Sequence, residues 1–163
     1  MNKDNKKCVG IIFGGQSNEH DISIESAKAI FLALNSAINK KKYLTKAFYI
    51  NKNGKWFDSR KSLAILENST NIEIVNESSP FEDIKIFDQI DCKDIDIWFP
   101  IMHGANGEDG SIQGLLKYTQ KPFVGSSILG SALGMDKIAM KLIFSHLKIP
   151  QVNYFIIQDK NLD

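Results

Sequence analysis

The run His103-Gly104-Ala105-Asn106-Gly107-Glu108-Asp109-Gly110-Ser111-Ile112-Gln113-Gly114 puts an imidazole, two carboxylates and four glycines into twelve residues. An imidazole titrates near pH ~6.5, so His103 can donate, accept or carry charge toward a ligand. Gly104, Gly107 and Gly110 allow positive φ and a close approach of backbone to ligand. Asp109 suits the N-cap of a following helix, and Glu108 lies where a helix dipole favours an anion. Each residue alone has a plain structural use, as a cap, a solvated carboxylate or a satisfied strand-end histidine. Their combination in one loop points to a ligand site.

Such a loop needs rigid elements on both sides. Before it, the apolar run Ile95–Met102 reads as a buried strand; after it, Ile112–Tyr118 reads as a short helix. In α/β proteins that junction is where ligands bind. The chain opens in the same way. Cys8–Phe13 is a continuous apolar run, the mark of a strand covered on both faces, and Gly14–Asp21 is polar. Ile24, Ala27, Phe31, Leu34 and Ile38 then follow helical spacing, with Asp21 and Ser23 suited to the N-terminus.

Further on, Thr45–Ile50 is expected as a strand, Asn51–Gly54 as a turn and Lys55–Phe57 as a hairpin partner. The pattern weakens over 58–90, where Leu63–Leu66 suggests a helical turn and Asn71–Val75 a strand. Pro122–Gly125 reads as a short strand, and Ser126 or Ser127 as the cap of a helix reaching Gly134 or Met135. Another helix is expected from Asp136 to His146, where Pro150 follows closely, and a strand over Val152–Ile157. The expected architecture is α/β: a Rossmann-like, mostly parallel sheet with flanking helices.

Composition narrows the function classes. In 163 residues, 43% are hydrophobic and 24% charged, ordinary values for a globular protein. A net charge of +1 gives no reason to expect nucleic acid or an anionic membrane as partner. Lys40-Lys41-Lys42 reads as a solvated helix end. Cys8 and Cys92 form neither a disulfide framework nor a CxxC pair. No run approaches the ~20 apolar residues of a membrane span, and Met1–Lys7 lacks a signal-peptide core. The expected location is the cytoplasm.

Three blocks together resemble the D-alanine–D-alanine ligases, ATP-grasp enzymes of peptidoglycan synthesis. His103-Gly104-x-x-Gly107-Glu108-Asp109-Gly110-x-Ile112-Gln113-Gly114 is similar to the signature of that family at every fixed position. Gly14-Gly15-Gln16-Ser17-Asn18-Glu19-His20-Asp21-Ile22-Ser23 resembles its N-terminal loop, and Ser131-Ala132-Leu133-Gly134-Met135-Asp136-Lys137 its S-A-x-x-M-D-K segment. The resemblance implies a substrate-binding (pre-ATP-grasp) domain over residues 1–134 and an incomplete start of the ATP-grasp central domain over 135–163. It implies ATP-driven joining of two D-alanines through an acyl phosphate, with Mg2+ or Mn2+.

Residue by residue, the resemblance makes Glu19 the group that holds the ammonium of the first D-alanine. His103 becomes the donor near that substrate and the acyl phosphate, and Lys137 the cation that reaches the ATP phosphates. Ser17 and Gly104 are expected beside the substrate, while Gly14, Gly15, Gly107, Glu108, Asp109 and Gly110 shape the loops. No metal ligand is assigned. The magnesium ligands and the adenine pocket belong to later sequence in the family, so this chain alone is expected neither to hold ATP tightly nor to ligate. Its partners are then D-alanine and the remaining C-terminal part of the same enzyme. Dimerisation through the N-terminal domain is common in the family, though no interface is legible here.

Three other readings compete. A dinucleotide-binding oxidoreductase would suit the β-loop-α opening, but Gly10–Asn18 has no GxGxxG. A metal-dependent hydrolase could draw on His20, Asp21, His103 and Glu108, which are far apart and lack a local ligand pair. A truncated binding domain without turnover differs from the ligase reading only in activity.

Overall fold

A computed structural model describes residues 6–67 and 92–157 of the chain. Three strands, β1 (Lys7–Gly14), β2 (Tyr43–Ile50) and β3 (Ile97–Ile101), form one parallel sheet in the order β2-β1-β3. Helices α1 (His20–Leu34), α2 (Ser59–Leu66) and α3 (Ser111–Tyr118) accompany the sheet, and α4 (Ile128–Met135) and α5 (Lys137–His146) follow. The expected α/β architecture is present.

The central strand explains the layers. Side chains alternate along a strand, so Val9, Ile11 and Phe13 pack with Ile24, Ala27 and Phe31 of α1. Cys8 and Ile12 point the other way, into a cluster with Trp98, Ile112 and Leu116. Gly10 also falls on that second face: a Cβ there would come within 2.6 Å of Trp98 Cε3. Trp98 is 1% exposed and donates from Nε1 to Thr119 Oγ1 at 2.9 Å. A tryptophan buried this far removes roughly 150–250 Å² from water, so Gly10 preserves the anchor of that layer. Burial likewise pushes the Cys8 thiol above its ordinary range.

The two layers have a consequence for function. β1 and β3 are neighbours, yet α1 covers one face of the sheet and α3 the other. The chain therefore leaves the carboxyl ends of these two strands toward opposite faces of the sheet, the kind of switch point at which open α/β sheets bind ligands.

Several local expectations change. Helix α1 begins at His20, ahead of the expected caps Asp21 and Ser23, and Glu19 takes the N-cap position without a side-chain cap bond. Ser23 instead lies inside the helix, where its hydroxyl accepts from Gly14 N–H at 2.8 Å and donates to the Ile101 carbonyl. The hairpin partner Lys55–Phe57 is reduced to one antiparallel bridge, Ile50 to Trp56, because Asn51 Oδ1 already accepts from Asn53 and Lys55 N–H. Pro122–Gly125 is likewise one parallel bridge, Phe123 to Trp98.

In the 58–90 insert the suggested turn at Leu63–Leu66 is part of α2, capped by Asp58, whose carboxylate accepts from Lys61 N–H. The strand expected at Asn71–Val75 lies outside the described residues. Of the two expected caps, Ser127 caps α4, and Asp136, expected as the first residue of its helix, is instead the N-cap of α5. Val152–Ile157 is not a strand: no described strand pairs with it, and Val152, Phe155 and Ile157 are largely exposed. No described helix is long and apolar enough to cross a membrane.

Candidate functional site

The crevice is built from the two loops that follow β1 and β3. At the first, Gly14 has φ +89°, and a Cβ would collide with the Ile50 carbonyl, which accepts from Gly15 N–H at 2.8 Å. Only glycine fits there, and the chain turns sharply off the strand into Gln16–Glu19. His20 follows, 2% exposed, with Nδ1 2.6 Å from the Gly15 carbonyl and Nε2 3.2 Å from Tyr49 Oη. A carbonyl can only accept, so Nδ1 carries the proton and Tyr49 donates to Nε2 in the neutral ring. His20 is thus a structural strut.

The second loop folds onto itself. Gly104 N–H donates to Glu108 Oε2 at 2.9 Å, and Glu108 N–H donates back to the Gly104 carbonyl at 2.9 Å. Asp109 accepts from Asn106 N–H at 2.8 Å and from Ser111 N–H at 3.0 Å. It caps from one residue before the N-cap position, which Gly110 occupies with φ +96°. Burial works to raise the Asp109 pKa, but those backbone donors outweigh it and hold the carboxyl below its ordinary range. Gly107 does not take the positive φ expected of it; Asn106 does, at +65°. What Gly107 supplies is room, since a Cβ would lie 2.7 Å from Met102 Cβ.

The two loops meet at Gly104. Ser17 Oγ donates to the His103 carbonyl at 2.7 Å, and a Cβ on Gly104 (φ +67°) would sit 2.7 Å from Glu19 Oε2. Glu19, Ser17, His103 and Gly104, named from sequence, are therefore brought together. His103 is half-buried, with Nε2 3.3 Å from Ser26 Oγ and Nδ1 4.0 Å from Glu108 Oε1.

Beyond them lies a cavity of about 590 Å³ between the second loop and the helices α4 and α5, lined by His103, Glu108, Gln113, Ser131 and Lys137 among others. Lys137 thus shares a space with His103. Its ammonium is exposed and donates to the Gly134 carbonyl at 3.1 Å. Two amide groups at the start of α5 are already taken, because Asp136 Oδ1 accepts from both Ile138 and Ala139 N–H. Among the described residues no cluster of three His, Cys, Asp or Glu could hold a metal ion. His20, Asp21, His103 and Glu108 do not converge on a common centre: His20 is turned to Tyr49, and Asp21 pairs with Lys52 on the surface.

Two contributors were missed in the sequence. Ser26 reaches His103, and Gln113 Nε2 donates to the Gly107 carbonyl at 2.9 Å, pinning the loop from α3. The signal for Ser26 was available: Glu19, Ser23 and Ser26 are spaced four and three apart, which places them on one helical face.

Comparisons with known proteins bear on the family and the fold. The family described as "D-ala D-ala ligase N-terminus" matches residues 8–126. A D-alanine–D-alanine ligase of Prochlorococcus marinus subsp. pastoris is 57% identical over 164 residues, covering 99% of this chain and 46% of its own length. That of strain NATL2A is 48% identical over 158 residues, covering 97% and 44%. The chain spans about half the length of the curated relatives it matches. Among solved structures, the D-alanine–D-alanine ligase from Coxiella burnetii superposes with TM-score 0.74 at 29% identity, over 96% of this chain and 46% of that one. A D-Ala:D-Ser ligase from Enterococcus faecalis gives 0.66 at 29%, over 88% and 43%. With the three sequence blocks meeting at one crevice in this fold, the chain belongs to the D-alanine–D-alanine ligase family and corresponds to its N-terminal part.

Proposed function

We propose that this chain supplies the first-substrate wall of an ATP-dependent ligase that joins two D-alanines through an acyl phosphate, in peptidoglycan synthesis in the cytoplasm. The observation that carries the reading is the meeting of Glu19 with the His103–Gly104 turn, beside a cavity that also contains Lys137.

A carboxylate resists attack by an amine until it is activated, so the protein's task is positioning and charge compensation. The Glu19 carboxylate is the anion for the substrate ammonium. Ser17 and Gly104 fix the turn against which the substrate rests. His103 offers a donor where negative charge develops on the activated carboxyl group, and Lys137 is the cation for the ATP phosphates. Glu108, Asp109 and the glycines hold the loop in shape.

The residues described here fit ATP only in part. Lys137 offers one positive charge, the Ile138 and Ala139 amides of α5 are taken by Asp136, and magnesium lacks a donor set among the described residues. In this reading a substrate domain ends near residue 134 and a central-domain segment begins at 135. The other wall comes from the C-terminal half of a longer enzyme, and the chain alone does not ligate.

The test uses this chain alone and a chimera in which it replaces the matching N-terminal segment of the Prochlorococcus marinus relative. With ATP, Mg2+ and D-alanine, the chimera is expected to form dipeptide and the isolated chain none. Dipeptide from the chain alone, or a folded chimera with no product, overturns the proposal.

A further inference from the structure

We propose that Ser26 is a positioning residue that fixes the ring orientation and tautomer of His103, so that one polar face of α1 governs both loops of the site. The inference rests on reading His103 as a site residue, and it concerns how that residue is held.

The geometry is direct. Ser26 Oγ stands 3.3 Å from His103 Nε2, across 77 residues of sequence. The opposite ring nitrogen, Nδ1, stands 4.0 Å from Glu108 Oε1. A carboxylate on that side favours the proton on Nδ1, which leaves the Nε2 lone pair to accept from the Ser26 hydroxyl. The ring is then held in the Nδ1–H form, with its N–H directed to the Glu108 side. The other charges that bear on it are Lys137, in the same cavity, and Glu19, against Gly104.

The rest of the α1 face works in the same direction. Ser23, one turn before Ser26, ties the end of β1 to the end of β3 through Gly14 N–H and the Ile101 carbonyl. Glu19, one turn earlier still, rests on Gly104. Beside the apolar stripe of Ile24, Ala27 and Phe31 that packs on the sheet, Glu19, Ser23 and Ser26 form a polar stripe of three residues about one turn apart. Ser26 is half-buried, and alanine keeps its Cβ, so the substitution removes the hydroxyl alone.

The experiment is a two-bond 1H–15N correlation of the histidine rings in the labelled 163-residue chain, with His103 identified by its loss in His103→Gln. In Ser26→Ala the His103 Nε2 resonance is expected to move toward the value of mixed tautomers, while His20 and His146 stay in place. Ser26→Thr, which keeps the hydroxyl, is expected to restore the original pattern. An unmoved His103 ring in Ser26→Ala overturns the proposal, as does a Ser26→Thr spectrum that matches alanine. The readout needs neither ligand nor turnover, so its outcome is separate from that of the ligase reading.

Discussion

Ser17 Oγ donates a 2.7 Å hydrogen bond to the backbone carbonyl of His103, joining two loops 86 residues apart in sequence. The bond is partly buried and connects the turn after β1 to the turn after β3. Removing the hydroxyl leaves the carbonyl without that donor, so Ser17→Ala is expected to cost about 0.5–1.5 kcal/mol. Thermal unfolding of the two proteins side by side measures this. An unchanged midpoint would show that the loops are held apart from this contact.

Gly104 and Gly114 both belong to the His103–Gly114 stretch, but their structural demands differ. At Gly104 the backbone has φ +67° and a Cβ would press on Glu19 Oε2 and Ser17 Cβ. Gly104→Ala is expected to lose roughly 1–3 kcal/mol from backbone strain and to displace the Glu19 carboxylate. Denaturant unfolding reads the first effect.

Gly114 lies within α3, where an added Cβ meets nothing within 4 Å. Glycine in a helix interior is less stable than alanine by roughly 0.5–1 kcal/mol, so Gly114→Ala is expected to stabilise the chain. A loss of stability in the same denaturant series would mean that the open space is filled in solution.

Asp109 gives a pH dependence with a defined sign. Its carboxyl titrates below the ordinary value of 3.8, because backbone donors from Asn106 and Ser111 outweigh the effect of burial. A depressed folded-state value means that its contribution is present above about pH 4 and is lost as pH falls through the folded pKa. Urea midpoints measured from pH 5 down to pH 3 should fall less steeply in Asp109→Asn than in the parent. Parallel acid limbs would contradict the assignment.

Much of this was legible in the sequence, for physical reasons. The continuous run Cys8–Phe13 has the mark of a strand covered on both faces, and the serine pair Ser126-Ser127 marked the start of a helix by its cap chemistry, with Ser127 serving as the cap. Val152–Ile157 has the same strand-like composition, yet stays unpaired among the described residues, because a strand is specified by its neighbour as much as by itself. Asp21 and Ser23 misled for a related reason. Both are good caps in isolation, but Ser23 finds better partners in Gly14 and Ile101 than at a helix end. At the site, glycine and acid spacing located the loop; the contacts made by Ser26 and Gln113 depended on which helix faces the fold brought against it.

In the proposed function, Glu19 and the His103–Gly104 turn form the wall that holds the first D-alanine. The most direct measurement is the D-alanine dependence of dipeptide formation by the chimera with the Prochlorococcus marinus C-terminal half, with and without Glu19→Gln. Loss of a charge-assisted contact to an ammonium is worth about 1.5–3 kcal/mol, or tenfold and more in affinity. KM for D-alanine is expected to rise by about that factor in Glu19→Gln, with the KM for ATP unchanged. An unaltered D-alanine dependence in Glu19→Gln would contradict it.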